Sequence, residues 1–161
     1  DLATVEALAD QLDPDPRFGE LVAQLEEIGW QTIVASAGCE WYIRRALRRF
    51  SVTVPIHTNI GQWVPGQGIV LSPHPDPRFR DADIGVSKAA LVRDAMQRAP
   101  QVAFAGDGMG DVEAARLVPP HRRFARRDCA AELTRRGEAF QPFSRWAQVA
   151  EAILSDPEAR K

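Results

Sequence analysis

Four apolar residues, Val102-Ala103-Phe104-Ala105, run directly into Gly106-Asp107-Gly108-Met109-Gly110-Asp111, and a helix-forming stretch from Asp111 to Val118 follows. This order constrains the fold more than any other part of the chain. The apolar run predicts a buried strand, the Gly/Asp segment a tight turn, and the last stretch a short helix. A strand that turns at once into a helix is the unit of an open α/β sheet, where ligands gather at the carboxyl ends of the strands. Asp107 would sit on that edge, and Asp111 would project from the first turn of the helix. Carboxylates near a helix N-terminus are favourable on structural grounds alone. Two of them among glycines beside a buried strand also suit a hard, oxygen-ligated cation such as magnesium.

The rest of the chain repeats the alternation. Val5, Leu8, Ala9 and Leu12 have helical spacing over Thr4 to Leu12, and Asp13-Pro14-Asp15-Pro16 ends that helix. Phe18, Leu21, Val22, Leu25 and Ile28 mark a second helix, closed by Gly29. Thr32 to Ala35 reads as a strand ending in Ser36-Ala37-Gly38, with a helix after it through Trp41, Ile43, Ala46, Leu47 and Phe50. Val52 to Ile56 predicts another strand, with Pro55 at an edge or strand end. Trp63 to Leu71 reads as a hairpin turning at Pro65-Gly66-Gln67-Gly68, and Ser72 to Ile84 as an irregular segment. Ser87 caps a helix running to about Ala99. Beyond the central stretch come a short strand at Arg122-Phe124-Ala125, a helix from Asp128 to Arg136, and a last helix from Ser144 to Leu154. Strands alternating with helices predict a parallel sheet covered on both faces.

Size and charge narrow the function. A chain of 161 residues with 45% hydrophobic content suits an ordinary globular fold. A formal net charge of −2 provides no global field for nucleic acid or an anionic membrane. No apolar run reaches the roughly 18 residues of a membrane span, and the N-terminus lacks a secretory pattern. Cys39 and Cys129 show no metal-type spacing, so a reducing, cytoplasmic setting is expected. Neither nucleic acid nor a membrane is expected as a partner. Oligomeric state is left open.

Two further strand-to-helix junctions carry chemistry. Ser36 before Ala37-Gly38 puts a hydroxyl beside the N–H groups of a helix start, which suits a phosphate oxygen as well as a plain cap. Lys88 opens a helix, where a cation is unfavourable by roughly 0.3–1 kcal/mol. That cost is tolerable on a solvated surface, and is offset if Lys88 pairs with carboxylates and a ligand anion. A hydroxyl, a lysine and two carboxylates at one sheet edge would make a phosphoryl-transfer site.

The combination resembles the haloacid dehalogenase-like (HAD) phosphatases. Ser36, in Val34-Ala35-Ser36-Ala37-Gly38, matches the second motif, which binds the phosphoryl group. Lys88 matches the third-motif lysine, and Gly106 to Asp111 match the fourth motif. The resemblance implies magnesium at Asp107 and Asp111, the first as ligand and the second supporting the cation and the lysine. It implies catalytic roles for Ser36, Lys88 and Asp111, and substrate contacts from Ser36, Ala37, Gly38 and Lys88. Within the superfamily the chain is most similar to the phosphoserine-phosphatase type. In that group it resembles the methionine-salvage phosphatases of hydroxy-keto-methylthiopentenyl phosphate, through Ile56-His57-Thr58-Asn59, Pro73-His74-Pro75, Phe124-Ala125-Arg126 and Gln141-Pro142-Phe143. The implied fold is a Rossmann-like parallel sheet of the HAD type with helices on both faces. Residues 1–16 would be the remnant of a helical cap, and residues 17–161 the core, with a hairpin and loop insertion at about 61–85.

The chain departs from the family at the first motif, an apolar strand ending Asp-x-Asp that supplies the attacking carboxylate. Asp13-Pro14-Asp15 follows no strand, and Asp81-Ala82-Asp83 follows a proline-rich segment unsuited to a central strand. The resemblance thus implies an α/β sheet with its central first strand missing, and an N-terminally truncated, inactive fragment. Two rival readings arise from the same residues. Cys39 and Arg45 have Cys-x5-Arg spacing, but bulky Trp41, Tyr42 and Ile43 lie between them in a helical pattern, and Cys39 reads as core. Arg44, Arg45, Arg48 and Arg49, with Arg122, Arg123, Arg126 and Arg127, offer a non-catalytic anion- or nucleic-acid-binding module as the alternative. Helical basic runs are usually solvated faces, and the chain lacks an aromatic stacking pattern. His57, His74 and His121 are too scattered for a metal triad, with His74 expected in a solvated loop. Glu113 is expected to face solvent.

Overall fold

A computed structural model describes residues 1–160 of the chain. The fold is mixed α/β, and the chain divides into two compact units, residues 1–86 and 87–161.

In the first unit, Asp1 caps helix α1 (Leu2–Asp10) by accepting the Thr4 N–H at 2.9 Å. That cap starts the helix two residues before the Thr4 expected from the apolar spacing. Helix α2 (Phe18–Glu27) buries Phe18, Leu21, Val22 and Leu25. It stops at Gly29, whose φ of +86° only glycine adopts readily, and Trp30 N–H closes onto the Leu25 carbonyl at 2.9 Å.

Strand β1 (Val34–Cys39) leads into helix α3 (Glu40–Leu47). Strand β2 (Ile56–Val64) pairs parallel with β1 and antiparallel with β3 (Gly68–Ser72), giving the order β1-β2-β3. The hairpin turn lies where its glycines place it, with φ of +79° at Gly66 and +88° at Gly68.

Three expectations are corrected here. The strand read at Val52 to Ile56 begins only at Ile56. Pro55 has no N–H for the ladder and joins through its carbonyl alone, which accepts the Val34 N–H at 2.9 Å. The hairpin is longer than the Trp63 to Leu71 expected, because its first strand is the continuation of β2 and pairing runs from Ile60–Ser72 to Val64–Gly68. That continuity makes this sheet mixed rather than all parallel.

The second unit opens with helix α4 (Lys88–Arg98), capped as expected by the Ser87 hydroxyl on the Ala90 N–H. Strand β4 (Phe104–Gly106) is followed by a single 3-10 turn at Met109–Asp111 and helix α5 (Val112–Leu117). Strand β5 (Arg123–Ala125), helix α6 (Arg127–Arg135), strand β6 (Gln141–Pro142) and helix α7 (Trp146–Ser155) complete it. The sheet order is β4-β5-β6, all parallel.

Helix α5 anchors the packing by facing two apolar clusters. Val112 and Ala115 join Ala125, Cys129 and Leu133, while Ala114 and Val118 join Val92. Phe104 of β4 touches both clusters. No helix among the described residues is long and apolar enough to cross a membrane.

On α6, Glu132 receives Arg135 at 2.6 and 2.7 Å and Arg136 at 2.6 Å. Those guanidiniums, Arg135 foremost, hold its carboxyl down at about 2 against an ordinary 4.5. The unfolded chain therefore takes up a proton here before the folded one does. The stabilisation is present above pH 4.5 and is lost as pH falls toward 2. Thermal melts across that window should show a shallower acid decline for Glu132→Gln than for wild type. An identical decline would mean that the pair adds nothing.

Candidate active site

The turn after β4 is assembled around Asp111, which is 3% exposed. Its Oδ2 accepts the Asp107 N–H at 2.8 Å and the Gly108 N–H at 2.9 Å. Its Oδ1 is paired with Lys88 Nζ from the first turn of α4. Both side chains are largely buried, at 15% exposure for Lys88 and 4% for Asp111. A lysine at the positive end of a helix is thus matched by a carboxylate, and that carboxylate holds two backbone amides that would otherwise lack partners.

Gly106 is needed for this approach. A Cβ there would lie 2.5 Å from Asp111 Cβ and 2.9 Å from a Phe104 ring carbon. The helix then starts at Val112, one residue later than expected, because Asp111 closes the 3-10 turn through its own N–H on the Gly108 carbonyl at 3.1 Å.

Asp107 extends from the same turn with its side chain 44% exposed. Its Oδ2 lies 3.2 Å from Arg126 Nη2 and 3.6 Å from Arg127 Nη1. The backbone is tied to the same neighbours: Arg126 N–H reaches the Gly106 carbonyl at 3.1 Å, and Cys129 N–H the Asp107 carbonyl at 3.2 Å. Burial, with the negative charges of Asp111 and Asp107, pushes the Cys129 thiol up to about 11. Cys129 is therefore an inert core thiol and no nucleophile.

Lys88, Asp107 and Asp111 are thus brought together. The sequence signal missed the contact with Arg126, which had only its place in Phe124-Ala125-Arg126 to mark it. Asp107 is the open carboxylate of the group, since both Asp111 oxygens are engaged. No set of three or more His, Cys, Asp or Glu side chains converges as a metal cage among the described residues. The donor set fits a magnesium ion held through one carboxylate and otherwise by water and phosphate oxygens, a common arrangement for that ion.

Ser36, Ala37 and Gly38 belong to the first unit, and their setting corrects the sequence reading. They do not start a helix. Ala35 pairs with His57 and Cys39 with Asn59, so three residues of β1 stand opposite one of β2, in a bulge. Helix α3 begins after it, at Glu40.

Side chains of β2 hold the bulge. Thr58 Oγ1 donates to the Gly38 carbonyl at 2.8 Å, and Asn59 Nδ2 to the Ala37 carbonyl at 2.8 Å. Ser36 Oγ accepts the Gly38 N–H at 3.0 Å, which leaves the hydroxyl proton able to donate elsewhere. The Thr58-Asn59 pair therefore has a structural task in shaping this segment.

His74 is 5% exposed rather than solvated. It hydrogen-bonds His57 at 3.1 Å, with Phe79 edge-on to both rings. Cys39 is buried, and Arg45 is committed to Asp10 and Glu6, which disposes of the cysteine-phosphatase rival. The basic runs are likewise engaged internally. Arg44 pairs with Glu40, and Arg49 reaches the Leu12 carbonyl. Arg122 pairs with Asp156, and Arg123 with Glu138 and three nearby carbonyls at 3.0 Å or less. Glu113 is open, at 64% side-chain exposure, as expected.

Neither protein-family models nor curated proteins gave a match to the chain.

Breaking a buried ion pair from one side costs about 3–5 kcal/mol, because the partner is left charged and unpaired. Lys88→Ala and Asp111→Ala should each destabilise the chain by about that much in urea titrations. The double variant Lys88→Ala with Asp111→Ala should lose less than the sum of the two single changes. Additive losses would show that the two side chains do not act as a pair.

Proposed function

We propose that this chain carries the phosphoryl- and cation-binding part of a magnesium-dependent phosphomonoester hydrolase of the HAD type, acting on a small phosphorylated metabolite. The buried Lys88–Asp111 pair, locked to the amides beneath Asp107, is the observation that carries the reading. A structural salt bridge alone would not need a half-exposed carboxylate held out from the same turn.

In this reading Asp107 would hold magnesium, and Asp111 acts through Asp107 and Lys88 as a positioning residue. Lys88 contributes fixed positive charge toward a phosphoryl anion, held still by its carboxylate partner. A bound magnesium ion would supply further neutralisation of phosphoryl oxygens.

Attack on phosphorus needs a carboxylate that these residues do not place. Asp15 Oδ1 accepts the Arg17 N–H at 3.1 Å, and Asp81 Oδ1 accepts the Asp83 and Ile84 N–H groups at 3.0 and 3.1 Å. Both Asp-x-Asp pairs are turn formers. The polyanion-binding alternative gains nothing from the structure, because most of the arginines behind it already have internal partners.

Calorimetric titration of inorganic phosphate in millimolar magnesium tests the reading. Wild type should bind, and Lys88→Met and Asp107→Asn should each weaken binding by about tenfold, the scale of one charge-assisted contact. Absence of any phosphate binding by wild type would end it. Hydrolysis of p-nitrophenyl phosphate by the 161-residue chain should stay at the buffer rate. Turnover abolished by Asp107→Asn would show instead that the chain has an attacking group of its own.

A further inference from the structure

We propose that Arg126 is a built-in counter-ion of Asp107, which a divalent cation must displace to bind, so that Arg126 sets how weakly the site holds metal. The inference rests on the reading of Asp107 as a cation ligand. Its starting point is that the carboxylate offered to a cation already has guanidinium neighbours, Arg126 Nη2 at 3.2 Å and Arg127 Nη1 at 3.6 Å, both on Oδ2.

Arg126 is held for that contact by other groups. Its Nη1 donates to the Ser144 carbonyl at 2.7 Å, and its guanidinium lies 5.3 Å from the centre of the Phe143 ring. Its Nε is buried without a hydrogen-bond partner. A guanidinium placed only to tie the chain together would use that donor, as Arg123 uses its own on the Ala115 carbonyl at 2.9 Å. The arrangement sacrifices one donor and keeps the head group beside Asp107.

The backbone carries the second mark. Arg127 has φ of +47°, the left-handed region, and no other described residue except glycine has positive φ. Strain of this kind persists only where its surroundings enforce it, and it collects at functional sites. Here it lies between the Arg126 N–H bond to the Gly106 carbonyl and the Cys129 N–H bond to the Asp107 carbonyl. Both arginines are thereby turned toward one carboxylate.

Arg126 and Arg127 already crowd Oδ2, and a divalent cation at the same carboxylate adds further positive charge beside them. In this proposal metal entry displaces the nearer guanidinium, Arg126, and removal of its charge tightens metal binding. On metal entry Arg126 would give up its Nη2 contact with Asp107 while Nη1 keeps the Ser144 carbonyl. Asp107 thus alternates between an internal cation and an external one.

Manganese is the probe, with free Mn2+ read by electron paramagnetic resonance against the folded 161-residue chain. Arg126→Gln removes the charge while keeping a polar side chain, so it should bind Mn2+ about fivefold more tightly than wild type, the upper range for one exposed ion pair. Arg126→Lys keeps the charge and should stay within about twofold of wild type. Asp107→Asn should abolish binding at this site. If Asp107→Asn binds Mn2+ as wild type does, the cation reading of Asp107 fails, whatever Arg126 does. If Asp107→Asn loses binding while Arg126→Gln binds no more tightly than wild type, the counter-ion inference alone fails. Circular dichroism melts confirm that each variant is folded when titrated.

Discussion

The carboxylate of Asp111 is the contact on which the turn after β4 depends. It is buried, so its charge must be matched, and Lys88 matches one oxygen while the amides of Asp107 and Gly108 take the other. Each partner is thereby immobilised. The amide bonds fix the backbone at Asp107 and so the direction in which its side chain leaves the turn. The lysine fixes the first turn of α4, and Gly106 lacks a side chain because Asp111 fills that space. A charge removed from this group would unsettle a strand end, a helix start and the exposed carboxylate of Asp107 together.

Local chemistry of this kind is what sequence reads well. The strand and turn through Gly106 to Asp111, the Ser87 cap, the Gly29 stop and the Gly66–Gly68 hairpin each depend on a few adjacent residues. Their positions match the structure to within a residue or two, although Phe104 and Ala105 are half-buried where a buried strand was expected. Features set by distant partners were not legible. The bulge at Ser36 to Gly38 exists because Thr58 and Asn59 bond its carbonyls from 20 and 22 positions away. The apolar spacing at Thr32 to Ala35 shows a strand there and nothing of its register. His74 illustrates the same limit, since a proline-flanked histidine reads as loop while its burial comes from His57 and Phe79.

Arginine is the residue type that sequence judged least well. Read as a run, Arg44, Arg45, Arg48 and Arg49 look like a solvated basic face. Arg45 instead ties α3 to α1 through Asp10 and Glu6. Arg122 and Arg123, part of the second basic group, are 4% and 7% exposed, with donors spent on carboxylates and carbonyls. A guanidinium has five donors in a rigid fork, so it can satisfy several loop carbonyls at once and be buried without loss. Net charge gives no hint of this, because buried arginines count the same as exposed ones.

Arg123 and Arg126 sit three residues apart on the same strand-to-helix segment and show two uses of that fork. Arg123 is saturated: Ala115, Val118, Ala139 and Glu138 receive its donors, and no ligand could draw it away without leaving those acceptors unpaired. Arg126 is only partly satisfied, and its carboxylate partner is half open to solvent. A saturated guanidinium stabilises a fold. A partly satisfied one, facing an accessible carboxylate across 3.2 Å, forms a contact that can be exchanged. Neither group depends on the other alone: Arg126 also has the Ser144 carbonyl and the Phe143 ring, and the Asp107 side chain is 44% exposed.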